Sequence, residues 1–154
     1  MYIKEELLNM KAALFADPGV PRITRSESFA SINEKIKNTD SHTVLVVDEE
    51  NGKLIGLITD QRIIEKLSEP DFAEKIQRGE VNAEHIMTPI DTDKTGSIAQ
   101  STDTLEDVID KLKGIGLKKP FKVIPVVDES GAPIGQVTRQ SIRKNLDELL
   151  ETTR

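Results

Sequence analysis

The chain has 154 residues and a net charge of -6, with 31% charged and 36% hydrophobic residues, as is ordinary for a soluble globular protein of one domain or two packed half-domains. Because the charge is spread along the chain, nucleic-acid binding, which needs clustered Lys and Arg, is not expected. No apolar run approaches the roughly 20 residues that span a membrane, and the absence of cysteine and of a signal-peptide pattern favours a cytoplasmic location.

Residues 1–19 are predicted to form an N-terminal helix and the turn that ends it. Apolar residues recur at alternating spacings of four and three, which places them on one face of a helix over residues 2–16. These residues are Ile3, Leu7, Met10 and Leu14. The sequence Asp-Pro-Gly at 17–19 then stops the helix. The apolar face either packs on its own domain or pairs with a second subunit.

Residues 20–68 carry signals in the order β-α-β-β-α. These are a strand at 22–25, a helix capped by Ser28, strands at 43–47 and 54–58, and a helix after Thr59. The segment 43–47 is continuously apolar and β-branched, which is typical of a strand buried on both faces. Asn51-Gly52 favours the tight turn between the two later strands.

Residues 97–154 repeat this order after a polar linker at 69–96, in which a short helix is expected around Phe72–Ile76. The signals are a strand opened by Ile98, a helix capped by Thr104, strands at 123–127 and 133–137, and a closing helix after Thr138. The chain is therefore predicted to be α/β, with two β-α-β-β-α units and an N-terminal helix.

The two units also share a phrase, so the chain is an internal duplication. VLVVDEENGKLIGLITDQRI at 44–63 aligns with IPVVDESGAPIGQVTRQSI at 124–142 with a single one-residue gap. Asp48 then matches Asp128, and Thr59 matches Thr138.

The phrases LVVDEENGKLIGLIT and IPVVDESGAPIGQVT make each repeat resemble a cystathionine β-synthase (CBS) domain. The sequence His-Ile-Met-Thr-Pro at 85–89 resembles the Ile-Met-Thr phrase that often introduces such a repeat. The pair is similar to a Bateman module, in which two repeats pack about a pseudo-twofold axis and leave two clefts between them.

The resemblance implies a regulatory, ligand-sensing module that is not an enzyme and needs no cofactor. Its clefts would bind an adenine-containing ligand such as AMP, ADP, ATP or S-adenosylmethionine, and it would form a homodimer that regulates an unidentified protein partner. The alternative is a protein-interaction and dimerisation module that has lost nucleotide binding.

Thr59 and Thr138 are the best candidates for contacting a ligand phosphate. Each ends a return strand and begins a helix, where free N–H groups and the positive end of the helix dipole favour an anion. The alternative is that each hydroxyl only caps its own helix, and the two roles are compatible.

The sequence departs from the resembled family three residues after each of these threonines. Nucleotide-binding repeats usually carry Asp there for the ribose hydroxyls, whereas this chain has Arg62 and Ser141. Arg is a donor only, and Ser makes one modest hydrogen bond, so ordinary adenosine binding is weakened. Arg62 either adds to an anion site or pairs with a neighbour such as Glu65.

Other candidate ligand-binding residues follow from the family alone. Lys122 precedes the second buried strand, where a basic residue can reach a phosphate; the alternative is a solvated basic loop. The apolar part of the clefts would be lined by Ile23, Ile58, Ile98 and Val137, which are core positions in any case.

No catalytic or metal-binding pattern is present in the sequence. There is no Ser-His-Asp set, P-loop or dinucleotide fingerprint. The two histidines, His42 and His85, are too far apart in sequence to indicate a metal site.

Overall fold

A computed structural model of the chain describes residues 8–39, 42–90, 98–115 and 123–152. Contacts divide it into two units, one made of residues Val20–Thr92 and the other of Met1–Gly19 together with Asp93–Arg154. The N-terminal segment is thus grouped with the second repeat. Most of the segment predicted as a linker is grouped with the first repeat.

The elements are mixed α/β, as the sequence predicts. In chain order the helices are α1 (Ala12–Phe15), α2 (Phe29–Lys37), α3 (Asp60–Leu67), α4 (Phe72–Gln77), α5 (Ala83–Ile86), α6 (Leu105–Ile115) and α7 (Arg139–Thr152). The strands are β1 (Arg22–Thr24), β2 (Thr43–Val47), β3 (Leu54–Thr59), β4 (Thr88–Pro89), β5 (Ala99–Gln100), β6 (Ile124–Val127) and β7 (Pro133–Val137).

The unit at 20–92 is built on a sheet of order β1-β2-β3-β4. β1 runs parallel to β2, whereas the β2–β3 and β3–β4 pairs are antiparallel. The predicted Ser28 cap is present, because its hydroxyl accepts the backbone N–H of Ser31 at 3.2 Å. The predicted turn is also present, with Gly52 at φ 72°, which a residue without Cβ adopts freely.

The core of this unit lies between its sheet and its helices. Its buried residues come from β1, α2, β2, β3, α3, α4, α5 and the segment before α5, and they are Ile23, Ile32, Ile36, Val44, Val46, Ile58, Ile63, Phe72, Val81, Ala83 and Ile86. Because four of them lie in residues 72–86, much of the predicted linker belongs to this core. The helix expected around Phe72–Ile76 is α4.

The other unit repeats the plan with a sheet of order β5-β6-β7. β5 is parallel to β6, and β6 is antiparallel to β7. Its buried core residues are Ala12, Phe15, Ala99, Leu105, Val108, Ile124, Val126 and Val137. Two of these lie in the N-terminal segment, which therefore packs on the second repeat.

The prediction of one continuous helix over residues 2–16 is wrong at Lys11. Helical backbone at residues 8–9 stops there, because Lys11 is extended (φ -73°, ψ 145°) and α1 begins after it. Ala12 N–H donates to Asp103 O at 2.6 Å, and Leu105 N–H donates to Met10 O at 2.9 Å. These long-range bonds replace helical ones.

The break changes which face of the N-terminal segment is buried. Phe15 is buried, whereas Leu14, placed on the apolar face by the helical pattern, is 58% exposed. Ile3 and Leu7, the other two predicted positions before Met10, lie outside the described residues.

The structure contains a second duplication that the sequence phrases did not indicate. Val81–Pro89 pairs with the first repeat in the same way as Met10–Pro18 pairs with the second repeat. We call these two stretches the lead-in segments. In the first unit Phe29 N–H donates to Val81 O at 3.2 Å and Ala83 N–H donates to Glu27 O at 3.0 Å. They correspond to the bonds from Leu105 N–H to Met10 O and from Ala12 N–H to Asp103 O in the unit that contains the second repeat.

Each lead-in segment then runs along the return strand of its repeat. Thr88 pairs with Leu57 in β3, and Asp17 pairs with Gln136 in β7. Asp17 and Gln136 exchange both backbone hydrogen bonds, at 2.7 and 3.1 Å. The lead-in segment therefore covers an edge that would otherwise leave strand N–H and C=O groups unpaired.

The close approach of the lead-in segments depends on glycine. A Cβ on Gly135 would lie 2.6 Å from the backbone oxygen of Asp17, and one on Gly56 would lie 2.5 Å from the Met87 sulfur. The backbone oxygen is held by the hydrogen bond from Gln136 N–H. The Met87 sulfur can move to another rotamer, which leaves the milder 3.0 Å contact with Met87 Cβ.

We expect Gly135→Ala to lower the free energy of unfolding by about 1–3 kcal/mol, as overpacking does, and Gly56→Ala to lower it by less than about 1 kcal/mol. Urea unfolding of both variants measures the difference. Equal losses would contradict the inference that the backbone contact is the more rigid one.

The aspartates that hold the two hairpin turns have lowered pKa values. The pKa of Asp48 is lowered chiefly by the backbone N–H of Glu50, and that of Asp128 chiefly by the Ser130 hydroxyl. A carboxyl whose folded pKa lies below its unfolded value, about 3.9, stabilises the fold above that value. The contribution is lost as the pH falls through the folded pKa.

We therefore expect the free energy of unfolding to fall as the pH drops below about 4, and to fall less in the variant Asp48→Asn/Asp128→Asn. Asn keeps an oxygen for the turn N–H groups, so the variant should be less stable than the parent near neutral pH and approach it in acid. Urea unfolding across pH measures this, with Glu129→Gln in the same turn as control. Parallel curves for parent and variant would contradict the role of the two aspartates.

Candidate functional site

The first candidate site is the start of α3, where the return strand β3 ends. Thr59 is extended (φ -119°, ψ 163°), and its Oγ1 accepts the backbone N–H of Arg62 at 3.1 Å. The hydroxyl therefore caps α3, which is one of the two roles open from the sequence. A ligand role for the same hydroxyl stays a prediction.

The second candidate site is the start of α7, where Thr138 and Ser141 cap each other. Ser141 N–H donates to Thr138 Oγ1 at 3.0 Å, and Thr138 N–H donates to Ser141 Oγ at 2.8 Å. The Ser141 hydroxyl also donates to Thr138 O at 3.0 Å, and the residue is 7% exposed. This is a capping box, and it holds the Ser141 side chain in the helix start.

Arg62 makes a contact that the sequence did not predict. Its Nε donates to the backbone oxygen of Ile86, the last residue of α5, at 2.8 Å. The neighbour that the sequence suggested, Glu65, is 3.8 Å from the guanidinium. Helix C-terminal carbonyls lack intrahelical partners and favour a cation, so Arg62 caps α5 across 24 residues of sequence.

The two helix starts differ in charge. Asp60 lies in the first turn of α3, where its backbone N–H donates to His42 O at 3.3 Å and its carboxylate lies 3.3 Å from His42 Nδ1. The first turn of α7 carries no acidic residue. Because Asp60 already complements the α3 dipole, a ligand anion is favoured more at α7.

The apolar residues expected near the site are all buried. Ile23 and Ile58 belong to the core at 20–92, and Val137 belongs to the core of the other unit, so the fold alone explains the burial of these three. Ile98 is also fully buried, but it belongs to neither core cluster. Lys122 lies outside the described residues, so its predicted contact with a phosphate stays a prediction.

In the described parts of the chain, no three or more His, Asp or Glu side chains are grouped so that they could hold a metal ion. Over the same residues, no helix is both long and apolar enough to cross a bilayer.

Comparisons with known proteins agree with the fold described above. The model of the family described as "CBS domain" matches residues 14–69 and 84–148. No curated protein matches the chain.

Three solved structures illustrate the similarity. CBSX2, a CBS-pair protein from Arabidopsis thaliana, is 20% identical with a TM-score of 0.68, over 93% of this chain and 98% of that one. CBSX2 in complex with AMP gives a TM-score of 0.69 at 20% identity, over 94% and 98%. CbpB in complex with c-di-AMP gives a TM-score of 0.69 at 18% identity, over 99% of this chain and 94% of that one. At these identities the likeness concerns the fold.

The hydrogen bond from Arg62 Nε to Ile86 O is expected to contribute measurably to the free energy of unfolding. We expect Arg62→Met, which keeps an apolar stem but removes the donor, to lower the free energy of unfolding by about 0.5–1.5 kcal/mol. Glu65→Gln, which removes only the longer ion pair, should cost less than about 0.5 kcal/mol. Urea unfolding of both variants tests this, and equal losses would assign the role to the ion pair instead.

Proposed function

The chain belongs to the CBS-domain family, and from that membership we propose that it is a non-catalytic regulatory module that senses an adenine-containing ligand. AMP, ADP, ATP and S-adenosylmethionine are the ligands to consider. Two similar structures hold AMP and c-di-AMP, which supports this ligand class.

The observation that carries the proposal is the start of α7. In this proposal the ligand phosphate, or the carboxylate of S-adenosylmethionine, binds there, at Thr138. The first turn has no carboxylate to repel an anion, and the end of the helix adds its positive dipole. The Thr138 hydroxyl accepts one N–H and can donate its own hydrogen to a phosphate oxygen.

A second candidate function is a protein-interaction and homodimerisation module without nucleotide binding. It is favoured by the positions three residues after each threonine. The Arg62 Nε is bonded to Ile86 O, and the Ser141 hydroxyl is bonded within its cap. Neither side chain can accept hydrogen bonds from both hydroxyls of a ribose as a carboxylate does. The two candidate functions therefore differ in whether the phosphate contact alone is enough to bind a nucleotide.

A thermal-unfolding series with AMP, ADP, ATP and S-adenosylmethionine separates the two. At about 100 times its Kd, a ligand adds roughly 2.7 kcal/mol and raises Tm by several degrees. We expect one of the four to do so, and Thr138→Ala to abolish the shift. The matched control is Thr104→Ala, because Thr104 also caps a helix, α6, through Asp107 N–H at 3.2 Å, and is neither of the two candidate threonines.

The outcomes are distinct. If Thr59→Ala abolishes the ligand-induced increase in Tm and Thr138→Ala does not, the ligand site is at the start of α3. If none of the four ligands shifts Tm, sensing of this ligand class is refuted and the second candidate remains. Light scattering then tests it, since a monomer at all concentrations would refute homodimerisation.

A further inference from the structure

A pocket of about 390 Å³ opens in the unit at 20–92, at the end of α3 that is opposite to Thr59. Its apolar floor is Phe72 and Val81, which are 6% and 5% exposed. A volume of this size is within the range of small-molecule sites. The pocket lies outside the helix starts discussed above, so the inference is independent of the proposed function.

The carboxylates in the pocket wall already have cationic partners. Glu69 lies 3.3 Å from the amine of Lys66, which is itself part of the wall. Glu80 lies 3.8 Å from the guanidinium of Arg78, which also pairs with Glu74 at 3.2 Å. Each of the two carboxylates therefore lies within ion-pair distance of a cation, and Glu80 shares its cation with Glu74.

Two donors in the wall remain for a ligand. Lys75, in the last turn of α4, forms no ion pair with any residue in the described part of the chain. His85 accepts the backbone N–H of Asn82 at Nδ1, at 3.1 Å. A ring whose Nδ1 accepts carries its hydrogen on Nε2, so the remaining ring nitrogen is a donor.

We propose that this pocket binds a small organic monoanion with an apolar body, that is, an aromatic or branched aliphatic carboxylate. The apolar body lies on Phe72 and Val81, and the carboxylate is held by Lys75 Nζ and His85 Nε2–H. An amino acid is a poorer fit, because its ammonium group would have to compete with Lys66 and Arg78 for Glu69 and Glu80.

Phenylacetate is the probe, followed by amide chemical shifts of the full chain in a ¹H–¹⁵N titration. We expect the amides of Lys75, Val81 and His85 to shift together. Phenylacetamide, which lacks the charge, and acetate, which lacks the ring, should each bind at least about fivefold more weakly.

Lys75→Met should weaken phenylacetate binding about fivefold, to the level of phenylacetamide. The matched control is Lys37→Met, since Lys37 is likewise an exposed residue in the last turn of a helix, α2, but does not line the pocket. Equal binding of phenylacetate and phenylacetamide, equal effects of the two Lys variants, or shifts confined to amides elsewhere would each overturn the proposal.

Discussion

The pairing of a lead-in segment with the return strand of each repeat is the constraint on which both units depend. In the unit at 20–92 it covers the edge of β3, adds Ile86 to the core and fixes the start of α2. In the other unit it covers the edge of β7, adds Phe15 to the core and fixes the start of α6. An unpaired edge strand in so short a sheet would expose a row of donors and acceptors. The β-α-β-β-α pattern alone therefore does not describe a complete unit, because each repeat also needs a segment that lies outside it in sequence.

Most of the repeat could be predicted from the sequence because its signals are local. Each signal depends on residues that are close in sequence: the helix caps at Ser28 and Thr59, the β-branched strand and the Asn-Gly turn. The break of the N-terminal helix could not be predicted in this way. Lys11 is extended because its neighbours bond to Asp103 and Leu105, more than 90 residues along the chain, and tertiary hydrogen bonds outweigh helical periodicity.

The candidate site was harder to predict than the fold, since capping a helix and binding an anion use the same groups. Thr59 and Thr138 are candidates because each ends a strand and begins a helix, and the structure shows both as helix caps. Their difference depends on Asp60, whose effect follows from its position in the first turn of α3. The role of Arg62 could not be predicted, because its acceptor is a backbone oxygen that no side-chain pattern marks.

Helix α3 links the features of the unit at 20–92. Its first residue follows the Thr59 cap, Arg62 in its first turn holds the end of α5, and Lys66 near its end forms part of the pocket wall. His85 in α5 lines the same pocket, so the Arg62–Ile86 bond joins two of the helices that form the pocket wall. The link between α3 and α5 depends on a donor at position 62, because a carboxylate there could not donate to Ile86 O.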